Sequence, residues 1–452
     1  MATTGLTGAD DDQPASPEST DSGEAGASAA TPKPEHVSRR GLFGAIAASG
    51  VMGMLAGGAG VRLGQTIAEQ SEGDGTTYAF FGEHPAGITT PMQDRVHFAA
   101  FDIDDDASRE ELIDLLQRWS YAASRLQLGL DVSASGAVGG SEYAPPDDTG
   151  EALGLPPSGL TITIGFGPGV FEDADGNDRF GVRDQRPEAL APLPAFSGDD
   201  LRAAISGGDL AVQACADDPQ VAVHAIRNFT RMAFGTATLK WSSLGFGRTS
   251  STSRAQRTPR NLFGFKDGTH NIMAEDVDDT NDYVWVQQGD GPDWLAGGSY
   301  MIVRKIRMLI ESWDRSQLGE QERVFGRDKG EGAPLSGGDE FTAPNFAATD
   351  SAGEPRIPVQ SHVHLAHPEQ NGGKRILRRA FNYVDGNDEL GLLDAGLLFI
   401  SFQRDPQQFI DIQKNLSRDL LNEYIRHVSS GVWAVPPIPT DGSYAGATLF
   451  EA

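Results

Sequence analysis

A single cysteine, Cys215, stands in 452 residues, which excludes any disulfide within the chain. It lies in the apolar run Leu210–Ala216, where a thiol buried as a small hydrophobe is the ordinary outcome. Basic residues are scarce too: 36 Lys and Arg face 64 Asp and Glu, a formal net charge of −28. Nucleic acid is bound through clustered cations, so this balance argues against it as a partner. The charge fits a soluble surface that resists association, and equally a salty habitat in which screening weakens self-repulsion. The chain also lacks His-Glu-x-x-His spacing and a set of thiolates, the usual frames for zinc.

What is present suffices for a folded protein. Apolar residues make up 38% of the chain, and 452 residues exceed what one core normally serves, so two core-forming units are expected. Residues up to about Glu35 carry hardly any large apolar side chain and cannot offset their ordering entropy. Ser38-Arg39-Arg40-Gly41-Leu42-Phe43 then precedes a mildly apolar, uncharged stretch to Val61. A paired arginine in that position resembles a twin-arginine export signal. A membrane anchor is the alternative by length, but Gly50, Gly53, Gly57, Gly58 and Gly60 weaken it as a helix.

Beyond the leader, strand and helix signals alternate. Phe98 to Asp102 reads as a strand end, Ser108 to Glu111 as a capping box, and Leu112, Leu115, Leu116 and Trp119 as the apolar stripe of a helix. Leu210–Ala216 reads as a strand and Asp218-Pro219 as a helix start. The same order recurs with Tyr300–Ile310 as a strand, a helix between Ser316 and Val324, the strand Leu397–Gln403, and a helix opened by Asp405-Pro406. The repetition suggests a duplicated α+β module, with long Gly/Pro/Asp-rich loops at 133–159 and 326–358. The expected division is 1–72 for tail and signal, 73–235 for the first half and 236–452 for the second.

Three segments carry chemistry. In Gly264-Phe265-Lys266-Asp267-Gly268 a carboxylate sits between glycines that let backbone approach a flat ligand, although a surface turn looks the same. Ser361-His362-Val363-His364-Leu365-Ala366-His367-Pro368 reads as an extended strand with His362 and His364 on one face; a zinc site and satisfied surface histidines are its alternatives. Arg375-Ile376-Leu377-Arg378-Arg379 places adjacent arginines among apolar residues, which calls for anions or for one buried ion pair and one exposed arginine.

Together, in this order, these segments resemble the dye-decolourising peroxidase family, in particular its exported deferrochelatase/peroxidase branch. Phe80–Ile88 resembles the family's opening motif, with Pro85 where Gln is usual. Leu160–Pro168 and Leu421–Arg426 resemble two further motifs. The resemblance implies an α+β fold of two ferredoxin-like halves and one haem b per chain. It implies His362 as proximal iron ligand, Asp267 as distal acid and Arg378 as its partner. Gly268, Thr269, His270, His367 and Pro368 would line the haem edge, and Phe399 the distal pocket. His364 and His367 stand where relatives often carry Arg and Asn, which leaves the propionate contacts open.

The resemblance further implies hydrogen peroxide and a one-electron donor as substrates. For donors too bulky to enter, surface Trp or Tyr residues would relay electrons, with Trp241, Trp285, Trp294, Trp313 and Tyr383 as candidates. The leader makes the twin-arginine machinery the expected export partner, while iron-uptake partners and a homo-oligomer stay open. Release of iron from haem with the porphyrin intact, and a non-enzymatic haem carrier, use many of the same residues. A carrier, however, has no need of Asp267 beside Arg378. The carboxylate facing the far nitrogen of His362 is not legible, Asp441 being a bare guess.

Overall fold

Among the described residues, ten antiparallel strands with alternating side chains organise the fold. The computed structural model describes residues 75–451 apart from positions 174 and 439, so the expected acidic tail and export signal lie outside the described residues. The strands are β1 (Arg95–Ile103), β2 (Thr161–Phe166), β3 (Leu210–Ala216), β4 (Ala237–Arg248), β5 (Ser299–Met308), β6 (Leu377–Arg378), β7 (Phe381–Asn387), β8 (Leu393–Gln403), β9 (Ile425–His427) and β10 (Gly431–Val435). They lie in the order β6-β8-β7-β4-β1-β3-β2-β10-β5-β9. A further pairing of β5 with β8, from Tyr300 opposite Gln403 to Arg307 opposite Gly396, closes the sheet into a ring and removes its long edges.

The ring is built twice from one plan. β1 to β4 lie side by side as β4-β1-β3-β2, and β5, β7, β8 and β10 lie as β10-β5-β8-β7, the same ferredoxin-like order. In each set a helix follows the third strand: α2 (Pro219–Ala233) after β3, and α4 (Pro406–Asn415) after β8. Both begin at Asp-Pro as the sequence predicts, since proline suits the first helical turn and Asp218 and Asp405 accept backbone N–H groups there. α1 (Arg109–Leu126) starts at the Ser108/Glu111 capping box. Its Leu112, Leu115, Leu116 and Trp119 pack on the outer face of the first half with Phe101, Val212 and Phe229.

Residues of opposite parity fill the ring: Val96 and Phe98 of β1, Ala211 and Cys215 of β3, Met301 and Val303 of β5, Leu398, Ile400 and Phe402 of β8. Cys215 is therefore a buried thiol inside the ring. The outer face of the second half, carrying Arg304, Ile306 and Met308 on β5 and Leu397 and Phe399 on β8, forms one wall of a cavity. Among the described residues no helix is long and apolar enough to cross a membrane.

The histidine segment departs from the sequence reading. Instead of a strand, His362–Ala366 is a single helical turn, α3, preceded by extended Ser361, whose carbonyl accepts from Leu365 N at 3.1 Å. Ser361 is a residue type that favours the position before a helix. His367 is extended because Pro368 follows it, and the turn stops there. On a helix, residues two apart point to different sides, so His362 and His364 do not share a face.

Candidate active site

The cavity offers about 240 Å³ to the centres of water-sized molecules, and residues far apart in sequence meet around it. Asp267 and Arg378 reach it from the sheet side, His362 and His367 from the helical segment, and Phe399, Thr269, His270 and Pro368 complete that part of the lining. Of the residues that the resemblance assigns to catalysis or haem binding, Gly268 alone does not line it. A Cβ there would stand 2.9 Å from Ser250 Cα, so this glycine is needed for close backbone packing one layer behind the wall.

On the helix side, His362 Nδ1 lies 2.6 Å from Asp419 Oδ2. The other oxygen of Asp419 accepts from Leu421 N at 2.9 Å, and the carboxylate is buried, with 3% of its side chain accessible. A carboxylate accepts only, so the imidazole proton sits on Nδ1 and the Nε2 lone pair is left free. Burial lowers the proton affinity of His362, but the charge of Asp419 and its hydrogen bond outweigh this and raise it overall. Asp419, not Asp441, is thus the partner that sequence reasoning missed; Asp441 is exposed. Its one sequence signal is an Asp at the start of a short helical turn, two residues before Leu421.

On the sheet side, Arg378 Nη1 donates to Asp267 Oδ1 at 3.0 Å and to the Asp267 carbonyl at 2.6 Å. Arg378 itself is held by Asn271, which bonds both its backbone N and its carbonyl at 2.8 Å. Arg379, the next residue, points the opposite way and is fully buried, bonded to Thr90 O, Gln93 and Ile88 O. Alternation along the strand thus assigns one arginine to the cavity and one to the core. The buried arginine has neutral partners, not the ion pair considered from sequence.

The cavity's charge is the reverse of the protein's. Lys266, Arg304, Arg327, Lys374, Arg375 and Arg378 line it, against Asp267 and Asp419. Most of these cations bond carboxylates: Lys266 to Glu340, Arg304 to Asp199, Lys374 to Asp411 and Arg375 to Asp279. Arg327 is buried and, among the described residues, bonds only the carbonyls of Gly332 and Glu340. His270 stacks on His367 with ring centroids 5.5 Å apart. Burial, then Arg375, His367, Arg378 and Arg327, lower its pKa to about 4. His364 does not line the cavity; it packs edge-on against Phe346 at 4.6 Å. No cluster of three or more His, Cys, Asp or Glu side chains suited to a metal ion occurs among the described residues, so the zinc alternative finds no support.

The electron-relay candidates are corrected by burial. Trp241, Trp285, Trp294, Trp313 and Tyr383 are all at most 5% exposed, so none presents a surface to a bulky donor. Aromatic bulk favours the interior, and nothing in their sequence contexts signals otherwise.

The cavity thus brings a carboxylate-paired imidazole and a carboxylate–guanidinium pair into one lining. Sequence models of the Dyp-type peroxidase N-terminal and C-terminal regions match residues 85–247 and 258–440. The chain belongs to the Dyp-type peroxidase family. It is 38% identical over 379 residues to a dye-decolorizing peroxidase of Thermobifida fusca, covering 81% of this chain and 83% of that one. It is also 35% identical over 382 residues to a deferrochelatase of Escherichia coli, covering 82% and 87%. The crystal structure of a DyP-type peroxidase from Streptomyces coelicolor superimposes with a TM-score of 0.75 at 42% identity, over 83% of this chain and 98% of that one.

Proposed function

We propose that this Dyp-type peroxidase binds one haem b with His362 Nε2 on the iron, and that Asp267 and Arg378 carry out the proton chemistry on hydrogen peroxide. The observation that carries the assignment is the His362–Asp419 pair, which leaves one imidazole lone pair free in the same cavity as Asp267 and Arg378. The residues fit the group. A neutral imidazole with its far nitrogen bonded to a carboxylate is a well-oriented metal ligand. Apolar lining from Phe399, Ile306 and Leu397 suits the face of a porphyrin, and buried Arg327 lacks a carboxylate of its own, which a propionate supplies.

Bound haem supplies the redox centre at which peroxide is reduced and the electron donor oxidised. The protein's part is proton transfer and charge stabilisation. Asp267 accepts a proton from the near oxygen of peroxide and returns it to the far one, so that water leaves. General acid–base catalysis of this kind contributes roughly 10²–10⁴-fold. Arg378 Nη1, already on Asp267 Oδ1, meets the negative charge that grows on oxygen as the O–O bond breaks. Small one-electron donors reach the cavity edge near His270 and His367.

The relatives named deferrochelatase support a second reading, release of iron from haem with the porphyrin left intact. The same residues serve both. The twin arginine Arg39-Arg40 before an uncharged stretch supports export by the twin-arginine route, with that machinery as a partner.

Hemin titration of native protein and of His362→Ala tests the assignment. Native protein is expected to bind one equivalent with a high-spin Soret band, and the variant to lose stable binding. Full occupancy with native activity in the variant removes His362 from the ligand role. Metal-free porphyrin appearing after incubation with haem and reductant would favour iron release.

A further inference from the structure

Asn261 holds the distal aspartate through contacts that also close the turn carrying it. The segment folds back on itself: Asn261 N bonds Phe265 O at 3.0 Å, Gly264 N bonds Asn261 O at 2.9 Å, and Arg260 bridges Lys266. Gly264 makes the reversal at a φ of 83°, open to glycine. The side-chain oxygen of Asn261 accepts from Phe263 N at 3.1 Å and Phe265 N at 3.3 Å. Both partners can only donate, so the orientation of the amide is settled: that atom is the carbonyl oxygen and the other is NH₂.

The NH₂ stands 3.2 Å from Asp267 Oδ2. Arg378 occupies Oδ1 at 3.0 Å. Each carboxylate oxygen therefore accepts from a donor fixed on a different element, Arg378 on β6 and Asn261 at the head of the turn. The other charged or titratable groups around Asp267 are Lys266 with Glu340 beside it, His270 and Arg327 along the wall, and His362 from the helix side. Among the described residues, Asn261 is the only one that donates to Oδ2.

We propose that Asn261 is a positioning residue for the peroxide reaction: its NH₂ sets the plane of the Asp267 carboxylate and keeps Oδ2 an acceptor, ready to take the proton from peroxide. The inference rests on Asp267 being the group that accepts that proton. Asn261 touches neither peroxide nor haem; it acts through Asp267.

Asn261→Asp tests the contact with Asp267 while leaving the turn closed. It keeps an acceptor for Phe263 N and Phe265 N but sets a second carboxylate oxygen against Asp267 Oδ2. Two such oxygens at hydrogen-bond distance share a proton instead of both ionising. Infrared spectra of the haem-free protein near neutral pH are expected to show a protonated-carboxyl band in Asn261→Asp. The band should be absent from native protein and abolished when Asp267→Asn is added. With hemin bound, the rate of reaction with peroxide is expected to fall at least about tenfold, with the pH profile displaced to higher pH.

Native infrared and native peroxide kinetics in Asn261→Asp overturn the proposal, since position 261 then does not reach Asp267. Asn261→Ala removes the donor without adding a charge and so isolates positioning: a rate per bound haem and a pH profile equal to native reject the proposal, and a tenfold loss with a displaced pH profile supports it. Should native protein take up no hemin, the haem assignment fails by itself, while the infrared comparison still decides the role of Asn261.

Discussion

Replacing Asp419 by asparagine exchanges one acceptor oxygen for a donor and tests the helix side of the cavity. Asp419 accepts from two donors, His362 Nδ1–H through Oδ2 and Leu421 N–H through Oδ1. An amide has one acceptor oxygen, so the Asp419→Asn side chain satisfies one donor and sets its NH₂ against the other. If it keeps Leu421 N, the imidazole proton must move to Nε2, and the lone pair facing the cavity is lost. If it keeps His362, the short helical turn at 420–423 loses its cap. The bond to His362 is short and charge-assisted, a class contributing about 1.5–3 kcal/mol, which corresponds to roughly 10–100-fold in hemin affinity. Losing the cap costs about 0.5–2 kcal/mol of stability. Hemin titration followed at the Soret band gives the first quantity, and denaturant unfolding of the haem-free protein the second. Hemin affinity within about threefold of native, with stability also unchanged, would refute the claim that Asp419 fixes the imidazole.

Arg378→Leu is expected to slow the reaction with peroxide by about 10²–10³-fold with hemin affinity largely retained, as for removal of one donor to a developing anion; stopped-flow mixing reads it. Arg379→Leu is expected to do the reverse, lowering the unfolding free energy by at least about 2 kcal/mol, because the carbonyls of Thr90 and Ile88 and the side chain of Gln93 lose their donor inside the ring. Gly268→Ala forces a Cβ against Ser250 and Ser251 backbone and is expected to cost about 1–3 kcal/mol of stability in an unfolding titration. Stability should also depend on pH through His224, clamped between Asp148 and Glu151 where α2 meets the loop at 148–151. Burial lowers the pKa of His224, but Asp148 and then Glu151 raise it above its usual value; that stabilisation is full below about 6.5 and fades as pH rises through the raised value. Burial alone would raise Asp148, yet hydrogen bonds from His224, Val132 and Gly150 bring it to about 2, so its contribution fades as pH falls from about 4 toward 2. The stability difference between native and His224→Leu should therefore peak between about pH 4 and 6.5, and a flat difference would contradict it.

What the sequence disclosed was local. Ser108 with Glu111, and Asp-Pro at 218–219 and 405–406, are signals whose chemistry is complete within four residues, and each helix begins where they say. Short apolar runs marked Leu210–Ala216 and Leu397–Gln403 as strands, though not the closure of the ring, which depends on Tyr300 meeting Gln403 far along the chain. The histidine segment was misread because three histidines spaced by two and three residues match a strand as well as a turn. Ser361 and Pro368 at its ends hold the information that decides, and it is weak. Asp419 lies 57 residues from His362, and nothing in its neighbourhood announces a histidine partner. The choice between Arg378 and Arg379 needed the strand's facing direction, which appears only once β6 is docked on β8.

Rapid mixing of hemin-loaded protein with one equivalent of peroxide, followed by full absorption spectra, tests the central claim most directly. The account predicts a high-spin ferric Soret band that converts within the mixing experiment to the spectrum of an oxidised haem and returns on adding an electron donor. The conversion should be strongly slowed in Asp267→Ala and Arg378→Leu. A Soret band that peroxide leaves untouched, or one that converts equally fast in both variants, would contradict it.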